Sequence, residues 1–190
     1  MKKAVVLLAL LAGAFLSARA QDSRHELNLG IGFLPRVYQE VENAPVLTGD
    51  LASIYEPHTQ AKGEPLYGIE YGYAVLPWLK LGASLDYTSL SGKTTEFYRG
   101  VVVNEFKHYI LYFLPQAKFF AVDIPHFKVY AKLAAGVEAT LGENVTAPVQ
   151  FAWSVTPLGL QWAGDRVFGF TEITNGNVLW GARVGVGIRF

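Results

Sequence analysis

The chain ends V-L-W-G-A-R-V-G-V-G-I-R-F, from Val178 to Phe190. Every second residue (Val178, Trp180, Ala182, Val184, Val186, Ile188, Phe190) is apolar. Between them lie Gly181, Arg183, Gly185, Gly187 and Arg189, with Leu179 alone out of pattern. A period of two marks a strand with one apolar and one polar face. Stopping on the apolar parity, at an aromatic residue, is how the closing strand of a transmembrane β-barrel reads.

The opposite end reads as an export signal. Lys2 and Lys3 precede an apolar core from Ala4 to Leu16, and Ala18-Arg19-Ala20 is a small-x-small cleavage site. Cleavage after Ala20 divides the chain into a signal peptide, 1–20, and a single domain, 21–190. The apolar core is shorter than the ~20 residues of a membrane helix, which disfavours a retained anchor. With no Cys after the site, a lipid-anchored lipoprotein is disfavoured too.

Losing Lys2, Lys3 and Arg19 leaves 13 basic against 16 acidic residues, a net charge of −3. That balance points to no nucleic-acid or anionic-surface partner. The chain has no Cys, so neither disulfides nor thiol chemistry are available. Nothing beyond the signal reaches ~18 unbroken apolar residues, yet the chain is 51% hydrophobic and 14% aromatic. Alternating strands reconcile these facts, because they expose apolar side chains to lipid without a long apolar run.

Eight strand-like segments are predicted: about 26–34, 66–76, 79–90, 104–121, 127–141, 149–163, 166–174 and the closing segment. In the fifth, Val129, Ala131, Leu133, Ala135, Val137 and Ala139 oppose Lys128, Tyr130, Lys132, Ala134, Gly136, Glu138 and Thr140. Pro115 suggests a bulge or an edge-like break in the fourth. Asn175-Gly176 is a hairpin signal between the last two segments. The links (35–65, 76–78, 91–103, 122–126, 142–148, 163–166, 175–177) alternate between longer and tighter, the final hairpin aside. The expectation is an all-β, eight-stranded, antiparallel up-and-down transmembrane β-barrel with both termini periplasmic.

Aromatic residues gather near the strand ends. Phe33, Tyr67, Tyr87 and Trp180 fall on the outer side, and Trp78, Phe119, Trp162 and Phe190 on the inner, as two interfacial girdles would. Ordinary core or surface aromatics are the alternative. Trp162 has the parity opposite to Trp153 unless Pro157 introduces a bulge. The link 35–65 is long enough to be a functional surface, and 46–55 can form a short helix after Pro45. Segment 91–103 can instead extend the strands and pair into the fourth.

Three runs, G-A-R-V-G-V-G-I-R-F (181–190), F-A-W-S-V-T-P-L-G-L-Q-W-A-G (151–164) and V-Y-A-K-L-A-A-G-V-E (129–138), resemble a family of small outer-membrane β-barrel proteins. That family is common in Gram-negative bacteria of the Bacteroidota type and similar in architecture to OmpA and OmpX barrels. The resemblance spans essentially the whole of 21–190. It implies an eight-stranded outer-membrane barrel, usually of unassigned function; the leading expectation for this chain is a non-enzymatic envelope protein with a structural role, or a surface-binding role through extracellular loops whose ligand is unknown. Its partners would be outer-membrane lipid and, during insertion, the barrel-assembly machinery, which reads Phe190 as its terminal aromatic. The peptidoglycan-binding domain of OmpA-type proteins has no counterpart in this sequence.

On this alternation the inward positions include Glu26, Glu70, Asp86, Glu138 and Glu172, with Lys80, Lys118, Lys128, Lys132, Arg183 and Arg189. Charges of both signs in a narrow lumen should pair, because an unpaired buried ion is very costly. A structural plug is therefore expected in preference to an ion path or a catalytic carboxylate set. The inward glycines (Gly30, Gly32, Gly68, Gly72, Gly82, Gly136, Gly185, Gly187) are expected to make room for long charged side chains. Gly30-x-Gly32 lacks the third glycine and the helix of a nucleotide fingerprint.

His25, His58, His108 and His126 have no ligand-like spacing, so no metal and no cofactor is expected. Asn144-Val145-Thr146 matches a glycosylation sequon with little context behind it. Two other classes stay open. A rim-active lipid acylase or deacylase would use Asp86-Tyr87-Thr88-Ser89 and His108. A secreted lipocalin-like carrier would invert the faces, with charges outside and a cavity within.

Overall fold

The computed structural model describes residues 24–35, 58–95, 102–124, 126–142, 148–162, 164 and 166–190. The predicted signal, the predicted helix over 46–55 and the Asn144 sequon lie outside them. Among the described residues nine strands run β1 (His25–Pro35), β2 (His58–Gly63), β3 (Leu66–Leu76), β4 (Leu79–Thr95), β5 (Val102–Ile124), β6 (Phe127–Leu141), β7 (Val149–Trp162), β8 (Val167–Gly176) and β9 (Leu179–Arg189). β2 and β3 act as one interrupted stave, since both pair with β4, at 90–95 and 79–87 respectively. Eight antiparallel staves result, and the pairings of β9 with β1 and of β4 with β5 close the barrel. Closure removes the unpaired sheet edge that an open strand array would leave.

The ladder departs from the sequence reading in places. Residues 58–63, expected within a loop, extend the second stave. β4 and β5 continue to Thr95 and Val102, so the described ends of 91–103, residues 91–95 and 102–103, are strand. Asn175-Gly176 is the end of β8 and the turn is Asn177-Val178. Two contacts explain the shift. Gly176 lies against the Trp153 carbonyl, where a side chain would not fit. Asn177 Oδ1 accepts from the Trp153 N–H (2.6 Å), and its Nδ2 donates to the Phe151 carbonyl (2.8 Å).

Both prolines sit on the outer surface. Pro157 marks a bulge: Lys132 pairs with Thr156 and Tyr130 with Gly159, so β7 spends one residue more than β6. The extra residue resets the alternation, and Trp153 and Trp162 both face outward. At Pro115 the register with β6 is the same on either side, Phe113 with Val137 and Gln116 with Ala134. The ladder is interrupted there without a bulge, because Pro has no N–H to give.

The two faces separate cleanly. Ile69, Leu133 and Val184 are 41%, 50% and 42% exposed on the outside, whereas Lys132 and Arg183 are 4% and 5% exposed inside. Val178, expected outside, is instead buried with Leu179, because the tight turn carries it over the lumen. Leu179 is thus an inward residue on the same parity as Arg183.

Candidate functional site: a filled lumen

Every stave contributes a polar or charged side chain to the interior, through the alternation that sends apolar residues outward. The largest cluster lies toward the end carrying the termini. Glu26 on β1 accepts from Lys80 (2.5 Å), Lys118 (3.0 Å), Asn28 (3.0 Å) and Gln161 (3.1 Å), with the Arg189 guanidinium at 3.6 Å. Lys118 also reaches Glu70 at 2.7 Å, and Lys132 joins Glu70 (3.0 Å) to both oxygens of Glu172 (2.7 Å each). The Tyr130 hydroxyl donates to Glu172 at 2.8 Å, and Arg189 donates to Gln161 at 2.8 Å. Aromatic faces finish the cationic side: Lys118 lies over Tyr130 (4.7 Å) and Arg189 over Phe168 (4.2 Å).

A second pair lies farther from the termini. Arg183 meets Asp86 at 2.8 Å, and Ser84 donates to the other Asp86 oxygen at 2.8 Å. Two glycines create the space. A methyl on Gly68 would overlap both Asp86 and Arg183, and one on Gly30 would press on the Arg183 side chain. Other inward glycines serve different neighbours. Gly185 and Gly187 accept the rings of Phe170 and Phe168, Gly82 and Gly136 face backbone, and a methyl on Gly72 would meet only Glu26 Cβ, at 4.0 Å. Making room for charge is thus the task of two positions rather than eight.

Of the expected interior ions, Glu26, Glu70, Lys80, Asp86, Lys118, Lys132, Glu172, Arg183 and Arg189 come together in these two clusters. Lys128 lies apart at the rim, paired with the partly exposed Asp123 at 2.5 Å. Glu138 is half-buried and accepts from Thr140 at 3.3 Å, away from both clusters. Lys128 and Glu138 lie toward opposite ends of β6.

The sequence reading missed the bridging amides of Asn28 and Gln161 and the Tyr130 hydroxyl. Their signal was available, since a polar side chain on the inward parity must find a partner. It also missed an apolar cap. Leu66, Ile110, Tyr112, Leu114, Val178 and Leu179 are buried together, Tyr112 and Leu114 directly across the ladder from Asp86 and Ser84, and Gly32 accommodates Leu179. Between cap and ions lies a void of about 10 Å³, lined in part by Gln116, Thr156, Thr174 and Arg183. That is room for about one water molecule. Around the ionic clusters and the apolar cap, the described lumen is filled by side chains.

Of the residues considered for rim catalysis, Ser89 pairs with Tyr109 beside His108, whereas Asp86 lies apart from both. Asp86 pairs across the ladder with Tyr112 and Leu90 with His108, which puts Asp86 and His108 roughly 13 Å apart along the strands. His108 packs against Phe106 (5.3 Å between ring centres), and Ser89 is buried. Among the described residues no group of three or more His, Cys, Asp or Glu could hold a metal ion. Comparison with known protein families and with curated proteins finds no match.

Proposed function

We propose that this chain is a non-enzymatic outer-membrane β-barrel protein of the small OmpA/OmpX-like type, exported through a signal cleaved after Ala20. Its outer surface faces lipid, its termini lie on the periplasmic side, and its longer loops present a binding surface outside the cell. One observation carries this reading: a closed barrel with large apolar side chains outside and its ions paired inside. A soluble carrier needs the reverse arrangement, because an exposed apolar belt in water drives association. Filling of the lumen supports a scaffold over a channel, and the rim residues, with Asp86 apart from Ser89 and His108, give no support to a catalytic centre.

Extraction tests the proposal. The protein should stay with the membrane until detergent is added, and unboiled and boiled samples should migrate differently on a denaturing gel. A chain that stays dispersed without detergent would rule the reading out. Incubation with outer-membrane lipids should leave their masses unchanged; a new acylated or deacylated product would favour the enzyme alternative.

A further inference from the structure

Cations face each other across the ladder at three of the described rungs. Lys80 pairs with Lys118 and Lys118 with Lys132. One rung beyond the Val167–Ile188 pair, Arg166 stands opposite Arg189, whose N–H donates to the Arg166 carbonyl at 2.8 Å. Side chains so placed have Cβ atoms about 5 Å apart, where like charges repel.

A carboxylate bridges each of the first two rungs. Glu26 reaches both Lys80 (2.5 Å) and Lys118 (3.0 Å), and Glu70 reaches both Lys118 (2.7 Å) and Lys132 (3.0 Å). The third rung has no such bridge among the described residues. Arg189 lies 3.6 Å from Glu26 and donates to Gln161, yet its side chain is only 9% exposed and its Nε has no hydrogen-bond partner. Arg166 is exposed and, among the described residues, forms no ion pair. The charge count agrees with the geometry. Lys80, Lys118, Lys132 and Arg189 share Glu26, Glu70 and Glu172, four cations on three carboxylates, and Arg166 raises the surplus to two.

We propose that the Arg166–Arg189 rung binds a phosphate dianion, inorganic or a monoester, in the bridging place that Glu26 and Glu70 take at the other two. Two guanidinium groups supply the forked N–H donors that a tetrahedral oxyanion accepts in pairs. A surplus of two positive charges selects a dianion over chloride or a single carboxylate. Arg166 gives the site its opening to solvent, and the Phe168 ring, 4.2 Å from the Arg189 guanidinium, steadies the inner half. The rung belongs to the lumen face, so this inference stands independently of the lipid-facing reading above.

The test titrates the protein in non-ionic detergent with inorganic phosphate, above its second ionisation and at constant ionic strength, and follows the phosphorus NMR linewidth. Saturable broadening is expected, competed by sulfate and not by chloride. Arg166→Ala should weaken the affinity about tenfold, the worth of one charge-assisted hydrogen bond. Arg166→Glu should abolish binding and, without phosphate, raise the unfolding midpoint, because it sets opposite charges on the rung. Saturating phosphate should raise the midpoint of the parent and leave that of Arg166→Glu unchanged. Phosphatidic acid in the micelle forms a second arm: binding tighter than that of inorganic phosphate makes a lipid monoester the source, and weaker binding makes it a soluble one.

Competition by chloride equal to that by sulfate would reduce the effect to screening and overturn the assignment. So would an affinity untouched by Arg166→Ala, or an Arg166→Glu chain less stable than its parent. Heat-dependent gel mobility, read before each titration, keeps a misfolded variant from passing as a loss of binding.

Discussion

His25 and Phe190, the first residue of β1 and the last of the chain, close the barrel on each other. Each backbone N–H donates to the other's carbonyl, at 3.0 and 3.1 Å, and the rings stack at 5.5 Å and 14°. His25 Nδ1 also lies 2.7 Å from the Tyr71 hydroxyl, so a third strand is tied to the seam. A terminal aromatic therefore has a local structural task in the folded chain.

Phe190→Ala keeps both backbone bonds and removes the stack. The expected loss is about 0.5–1.5 kcal/mol, the usual worth of an aromatic pair. Deleting Phe190 removes the backbone bonds as well and should cost more. Urea unfolding in detergent, followed by tryptophan fluorescence, gives the order; equal stability of the two variants would contradict it.

Lys118 is the cation shared by Glu26 and Glu70. Lys118→Met leaves two buried carboxylates facing each other with less compensation, and should destabilise the barrel by about 3–5 kcal/mol. Adding Glu70→Gln should recover part of that loss, since it removes one of the orphaned charges. A double-mutant cycle on the unfolding midpoint measures the coupling. Purely additive losses would mean that the pair does not interact.

Two glycines of β3 offer a paired comparison. Gly68→Ala drives a methyl into the Asp86–Arg183 pair, with an expected cost of about 1–3 kcal/mol from overpacking. A methyl on Gly72 meets nothing nearer than Glu26 Cβ at 4.0 Å, so Gly72→Ala should be neutral to mildly stabilising. Thermal loss of the compact gel form ranks the two. A Gly72 variant as weak as the Gly68 variant would argue against the packing described.

Leu179 tests the apolar cap. Leu179→Ala should cost about 2–5 kcal/mol, as other buried leucines do. The exposed Leu81 should cost far less on the same substitution, and comparable losses would show that the cap is not packed.

The outline of the barrel was legible because its strands obey a period of two over long runs. In β1, β6 and β9 nearly every residue faces as its parity demands. The reading failed where backbone geometry overrides parity. Asn177, through its side-chain bonds to β7, moves the last turn beyond the Asn175-Gly176 signal. Pro157 shifts the phase of β7, which explains Trp162. Residues 58–63 lack an apolar alternation of their own and gain strand structure from the exposed edge of β4. The ionic residues were found by sign and parity, but which carboxylate meets which cation depends on stagger between staves. Lys118 reaches Glu26, 92 positions away, and no local pattern encodes that.

The central claim is that the apolar face looks into hydrocarbon. With no native Cys, single nitroxide labels can be placed at Ile69, Leu133 and Val184 in protein reconstituted into vesicles. Collision with oxygen, which concentrates in lipid, should far exceed collision with a water-soluble nickel chelate at all three positions. Labels that collide more often with the chelate than with oxygen would contradict the account.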